Sequence, residues 1–251
     1  MEDPDDLLRE LRERPPSADL NPAFLLADSR PLFARLGEGS VSELVAAAYR
    51  DAAWIWGPRA AYLGACNGDR PEFYEIFESF AEAARCPQRM HVRAEPTEAE
   101  RDFLAEADLI VLGGGDPLQG LRAFESAGLV EVLRESFTRG AVLVGVSAGA
   151  TLLGLGTRDA AERFAPTLGL VPLVIETGPD AAERLAASVQ QAPIPRGVAI
   201  PAGGAAAFHP DGSLEPLAST LEEIVSEEDG GLRRAHLLPS AAGGGDERPV
   251  H

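Results

Sequence analysis

The sequence contains no lysine: all 22 of its Lys/Arg positions are arginine. A Ser–Lys catalytic dyad is therefore impossible, and no glycine-rich turn can be completed by the lysine of a P-loop. Positive charge is also scarce, since 22 basic residues face 40 acidic ones and leave a formal net charge of -18. That balance argues against partners such as nucleic acid or an anionic membrane surface, and it repels acidic substrates unless arginines gather locally. Cysteine is nearly missing as well. Cys66 and Cys86 form no metal-type cluster, and a lone pair in 251 residues suits free thiols in a reducing compartment. No apolar run approaches membrane-spanning length, and the acidic start Met1-Glu-Asp-Pro-Asp-Asp6 is unlike a secretory signal, so a cytoplasmic protein is expected. Histidine is the last shortage, because none of the four lies between His91 and His209.

What is present suits one large α/β domain. The chain is 45% hydrophobic, enough for a single core, with 21–235 as the expected domain. Residues 1–20, acidic and interrupted by Pro15 and Pro16, read as a flexible extension, and the glycine-rich 236–251 as a disordered tail. Strand-like runs occur at Phe24–Ala27, Arg59–Cys66, Met90–Arg93, Ala107–Leu112 and Ala141–Val144. Helical patterns fall over Val41–Ala53, Pro71–Ala84, Leu118–Phe124 and Leu129–Thr138, and Thr97 with Glu100 has capping-box spacing. Phe73, Ile76, Phe77 and Phe80 make one apolar helix face and read as core, while Trp54 and Trp56 read as helix-end packing. Single helices between strands imply a three-layer α/β/α sandwich around a mostly parallel sheet, with ligands at the carboxyl ends of the strands. Leu168–Ile175, Gly197–Ile200 and Ala205–Phe208 are further strand candidates, Asp180–Val189 is helical, and His209–Gly212 is a hairpin turn.

Two motifs at that edge carry chemistry. Ala141-Val-Leu-Val144 runs into Gly145-Val-Ser-Ala-Gly149, the pattern of a strand turning sharply into a helix with Ser147 on the turn. Ala107–Leu112 runs into Gly113-Gly-Gly-Asp116, a turn able to present backbone N–H groups unobstructed. Together they outline a serine nucleophile with an oxyanion hole.

The two motifs, in this order and at this separation, resemble the family of peptidase E (aspartyl dipeptidase) and cyanophycinase, serine hydrolases with a glutamine-amidotransferase-like α/β fold. The likeness extends from about Ala60 to Leu217. Gly113-Gly-Gly-Asp-Pro-Leu-Gln119 is similar to that family's glycine turn, and Gly145 to Ala150 to its elbow. The resemblance implies Ser147 as nucleophile, Gly115 and Ala148 as oxyanion donors, and Gly114, Asp116, Gln119 and Gly178 as substrate-binding positions. It also places the acidic triad member near Asp159 or Glu162. No cofactor and no metal are implied; the expected partner is a small peptide or peptide segment, and self-association as a homodimer stays open.

One position departs from the pattern. The family's catalytic histidine would fall on or near Gly178, where the chain reads Glu176-Thr-Gly-Pro-Asp180. Glu176 is a candidate substitute base; His91, at a strand end, and His209, in the hairpin turn, are two others. Since a positioned base contributes about 10²–10⁴-fold to such reactions, two readings follow. One is a peptidase E-like serine hydrolase with a departed triad, acting on small peptides or peptide-like amides. The other is a catalytically inactive homologue that binds a peptide or a partner protein.

Overall fold

A computed structural model describes residues 20–36, 39–48, 57–227 and 230–239. Seven strands form the main sheet: β1 (Ala23–Leu26), β2 (Arg59–Leu63), β3 (Gln88–Val92), β4 (Leu109–Leu112), β5 (Val142–Val146), β10 (Ala205–Phe208) and β11 (Leu214–Ala218). Their order is β11-β10-β1-β5-β4-β2-β3. The five strands from β1 to β3 run parallel, and β10 and β11 extend the β1 edge as an antiparallel hairpin.

The central parallel strands β1, β4 and β5 are apolar throughout because both faces are covered. Side chains alternate between the faces: Leu25, Leu63, Ile110 and Leu143 enter one core, and Phe24, Tyr62, Val111 and Val144 the other. The second core is closed by helices α1 (Arg30–Phe33), α2 (Val41–Ala48) and α3 (Pro71–Ala83), the first by α4 (Glu98–Ala105), α5 (Pro117–Ala127), α6 (Leu129–Thr138) and α7 (Ala148–Leu153). The result is the expected three-layer sandwich, and α4 opens with the expected capping box between Thr97 and Glu100. Where 53 was the expected end of the second helix, the described helix runs to Ala48; Trp54, Trp56 and residues 1–19 lie outside the described residues. The first long strand is shorter than its apolar run, since the chain leaves β2 at Leu63 and turns through a single 3-10 turn at Ala65–Asn67.

The carboxyl-terminal third departs more. After α7 the chain forms a small hairpin, β6 (Gly156–Arg158) and β7 (Phe164–Pro166). A second sheet follows from β8 (Val174–Thr177), β9 (Arg196–Ile200), β12 (Leu221–Ser226) and β13 (Leu232–Leu237), with α8 (Ala181–Val189) packed on it. This sheet is separate from the main one, and β12 and β13 had no expected counterpart. The apolar run Leu168–Ile175 is a strand only from Val174. Its first part is buried against α7 and spends its backbone there, with Leu168 N–H on the Leu152 carbonyl and Val171 N–H on the Leu153 carbonyl. Its hydrophobicity reflects core burial and not strand pairing. β13 ends at Leu237, so His236 and Leu237 belong to the sheet and not to a tail.

Two glycines set how closely α7 approaches the main sheet. A Cβ on Gly145 would lie 2.6 Å from the Ala150 Cα, and one on Gly149 would overlap the Leu112 carbonyl. Gly149→Ala forces α7 off the sheet and is expected to lower stability by about 1–3 kcal/mol. A fall in melting temperature, read by circular dichroism, measures it.

Candidate functional site

Ser147 occupies the single residue between β5 and α7, with φ 53° and ψ -116°. Non-glycine residues avoid this backbone region at a cost of about 1–3 kcal/mol. The conformation is held from both sides: Ser147 N–H donates to the Leu26 carbonyl at 2.7 Å, and its own carbonyl accepts from the N–H groups of Ala150 (2.9 Å) and Thr151 (3.2 Å). Its hydroxyl does not cap the helix and has no hydrogen-bond partner among the described residues.

The glycine turn lies against it. A Cβ on Gly114 would stand 3.3 Å from the Ser147 Cβ and 4.0 Å from its Oγ. Gly115, at φ 137°, has room for no side chain because one would run into the Cys66 carbonyl. The turn is braced by Asn67, whose Nδ2 donates to the Gly114 carbonyl and to the Tyr62 hydroxyl, each at 3.0 Å. Because a trans peptide is planar, fixing the Gly114 carbonyl on Asn67 fixes the N–H of Gly115 in the opposite direction. Among the described residues the N–H groups of Gly115 and Ala148 have no hydrogen-bond partner.

Asp116 and Gln119 are occupied with structure. Asp116 Oδ1 caps α5 by accepting from Leu118 N–H (2.8 Å) and Gln119 N–H (3.0 Å), and Gln119 Nε2 donates to the Ala65 carbonyl at 3.0 Å. Asp116 still borders the cleft. Cys66, behind the turn, is buried, and burial pushes its thiol up to about 12, so it stays protonated and unreactive at neutral pH.

Two cavities meet at Ser147 and Gly115. One, of about 230 Å³, is apolar and lies on the α3 side; the other, of about 420 Å³, is polar and lies between α7 and the second sheet. Ala148, Asp116, Arg158, Arg184 and Glu176 line the polar one. Glu176 thus lines the same cavity as Ser147, and both of its oxygens are engaged: Oε2 accepts from Arg184 Nε and Oε1 from the Ser188 hydroxyl, each at 3.1 Å. Arg184 is pinned in turn, donating to the carbonyls of Thr177 and Pro179.

The other expected residues are elsewhere. Asp159 and Glu162 sit on the β6–β7 hairpin and line neither cavity; Asp159 pairs with Arg163 at 2.8 Å, and Glu162 with Arg158. Hydrogen bonds from the Arg163 backbone and side chain hold Asp159 below the usual carboxylate range. Gly178 lines a different groove with Pro179, Asp180 and Leu221, since its N–H is tied to the Ile200 carbonyl at the end of β9. His91 is on β3, three strands from β5, or about 14 Å at ~4.8 Å per strand. It stacks on Tyr74 at 4.8 Å and faces Asp69 at 3.2 Å. His209 follows β10, which runs antiparallel to β1 and carries it to the amino edge of the sheet, away from Ser147. There it pairs with Glu215 at 2.9 Å. Neither histidine reaches Ser147 because the sheet itself separates them. No group of three His, Cys, Asp or Glu side chains among the described residues is arranged to hold a metal ion.

Comparison with known proteins agrees with this architecture. The model of peptidase family S51 matches residues 40–213, more than half of the chain. The chain belongs to peptidase family S51. Within curated proteins it is similar to the uncharacterized peptidase YgaJ of Bacillus subtilis (strain 168), 31% identical over 94 residues. That match takes in 37% of this chain and 41% of the relative, so less than half of the relative's length is spanned. Two solved structures share the fold at 15% identity. A peptidase from an acI-B1 Actinobacterium superposes with a TM-score of 0.65, covering 88% of this chain and 95% of that one. A putative peptidase E protein from Listeria monocytogenes EGD-e gives 0.55, covering 80% and 100%.

Two residues that support the site were not singled out from sequence. Asn67 is one; Asp28, at the carboxyl end of β1, is the other. Asp28 receives Arg30 Nε at 2.9 Å and Nη2 at 2.6 Å, and takes the Gly203 N–H at 2.8 Å, which ties α1 to the loop before β10. The Arg30 guanidinium beside it, with the two backbone donors, holds its carboxyl down at about 2 against an ordinary 3.8. A lowered folded-state pKa stabilises above the unfolded value, and the contribution is lost as pH falls toward the folded one. Asp28→Asn is therefore expected to be less stable than the parent at neutral pH, with the gap closing between about pH 4 and pH 2 in parallel thermal melts. Asn67→Ala leaves the Gly114 carbonyl and Tyr62 hydroxyl without their donor and is expected to cost about 1–3 kcal/mol, read by chemical denaturation.

Proposed function

We propose that this S51 chain is a serine peptidase of the peptidase E type, acting on small peptides or peptide-like amides. Ser147 Oγ attacks the scissile carbonyl, and the N–H groups of Gly115 and Ala148 receive the negative charge that develops on its oxygen. The observation that carries the reading is the backbone of Ser147, held at φ 53° between two unpaired N–H groups on the floor of an open cleft. A residue kept in that conformation costs stability, and glycine would fill the turn without strain. Serine there has a use that packing does not explain.

The base is the weak part of the machinery. Neither a histidine nor a carboxylate hydrogen-bonds to Ser147 among the described residues. Glu176 is a candidate that shares a cavity with Ser147, and its carboxylate already accepts from Arg184 and Ser188. An oxyanion hole and substrate binding without a full triad still leave about 10³–10⁴-fold acceleration over water, so turnover is expected to be slow but dependent on Ser147. Cys66 and Cys86 are both buried as thiols, which suits a cytoplasmic setting.

The same lack of a base favours a second reading, a peptide-binding homologue without turnover. One experiment separates them. Folded protein is treated with a fluorophosphonate and, in parallel, incubated with a dipeptide library. Covalent labelling at Ser147 and product formation that disappears in Ser147→Ala support the peptidase. An unlabelled Ser147, with peptides bound and none cleaved, leaves the binding homologue.

A further inference from the structure

The aromatic stripe of α3 does more than fill the core. Phe77 and Phe80 are buried in it, but Phe73 and Ile76, earlier on the same face, stay partly exposed and line the 230 Å³ cavity with Leu32, Tyr62 and Val146. The floor of that cavity is the glycine turn and Ser147 itself. Its volume is below the roughly 300–1,000 Å³ of a pocket for a whole drug-sized ligand, and it suits a single large side chain.

Its electrostatics exclude an acidic occupant. None of the lining residues is a cation. The one carboxylate, Asp28, is held ionised by Arg30, whose guanidinium is spent on that pair. The Tyr62 hydroxyl is engaged by Asn67, and burial pushes its pKa up to about 12, so it stays neutral. A carboxylate side chain entering here would lose water, gain no counter-charge and face Asp28. The arginines of the cleft are on the other side, in the polar cavity, where Arg158 and Arg184 already hold Glu162 and Glu176.

We propose that this cavity is a specificity pocket for a large apolar side chain, of leucine or phenylalanine type, on a residue flanking the bond presented to Ser147. The assignment rests on the reading of Ser147 as the reacting group for its placement of the scissile bond, while the occupant is set by the cavity's own lining. Filling such a pocket with a side chain removes apolar surface from water and is expected to favour it by about 10- to 100-fold over alanine.

Equilibrium binding tests this without relying on turnover. The Ser147→Ala protein is titrated by calorimetry with Phe-Ala, Ala-Phe, Asp-Ala, Ala-Asp and Ala-Ala. The expected result is one phenylalanine dipeptide binding about 10- to 100-fold tighter than Ala-Ala, with neither aspartyl dipeptide exceeding it. Adding Ile76→Trp, which fills the cavity from a partly exposed helix position, is expected to erase the ratio of phenylalanine to Ala-Ala affinity within that variant. Phe73→Ala, which opens the cavity wall, is expected to reduce it, and both variants are checked by thermal melts. Tighter aspartyl binding, no phenylalanine-dependent binding, or a ratio that survives both folded variants overturns the pocket. Wild-type protein that shows the phenylalanine pattern and cleaves nothing supports the pocket and removes the hydrolase reading, so the two fail separately.

Discussion

The structure depends on the contact made where α7 starts against the ends of β4 and β5. Two absent side chains make it possible. Without a Cβ at Gly145 or Gly149, the first turn of α7 can lie on the Leu112 carbonyl and beside β5. Bringing the helix that close leaves one residue to reverse the chain, and that residue, Ser147, must take positive φ. The backbone bonds to Leu26, Ala150 and Thr151 then lock it. The strain at Ser147 is thus a consequence of close packing in a core whose strands are buried on both faces.

From that fixed point the cleft is organised by hydrogen bonds that leave few groups loose. Asn67 orients the glycine turn, Asp116 caps the helix behind it, and Asp28 ties α1 to the loop before β10. In a chain without lysine, arginine serves as the counter-ion to two of the cleft's carboxylates, Arg30 for Asp28 and Arg184 for Glu176, while Arg158 in the cleft wall pairs with Glu162 outside it. Among the described residues, the side chain of Ser147 and the N–H groups of Gly115 and Ala148 stay uncommitted. An excess of negative charge over the whole chain therefore coexists with a locally neutralised site.

The sequence made the half of the fold around Ser147 legible and the other half much less so. Val142–Val146 and Leu109–Leu112 are doubly buried strands, and such strands announce themselves as unbroken apolar runs followed by glycine. The second sheet is different. β12, Leu221–Ser226, places Glu222 and Glu223 side by side between Leu221 and Ile224, so its apolar residues follow no period of two, and only the Gly230-Gly231 turn into β13 marks its end. Leu168–Leu173 misled in the opposite direction, because burial under α7 produces the same composition as a buried strand. The glycine turn and the elbow could be read because backbone geometry demands particular residues at fixed spacing. Asn67 could not, since an asparagine in a loop has many uses and its bond to Gly114 spans 47 positions. The same limit applies to His209: its sequence allowed an approach to Ser147, and only the antiparallel register of β10 shows that it faces the other edge.

The central claim is that the uncommitted groups at this turn form a preorganised acyl-transfer site. A crystal structure of the protein soaked with a dipeptidyl phosphonate tests it most directly. The account predicts a covalent bond from Ser147 Oγ to phosphorus, with the phosphonyl oxygen about 2.7–3.1 Å from the N–H groups of both Gly115 and Ala148. An intact phosphonate in the cleft, or an adduct whose oxygen points away from both amides, would contradict it.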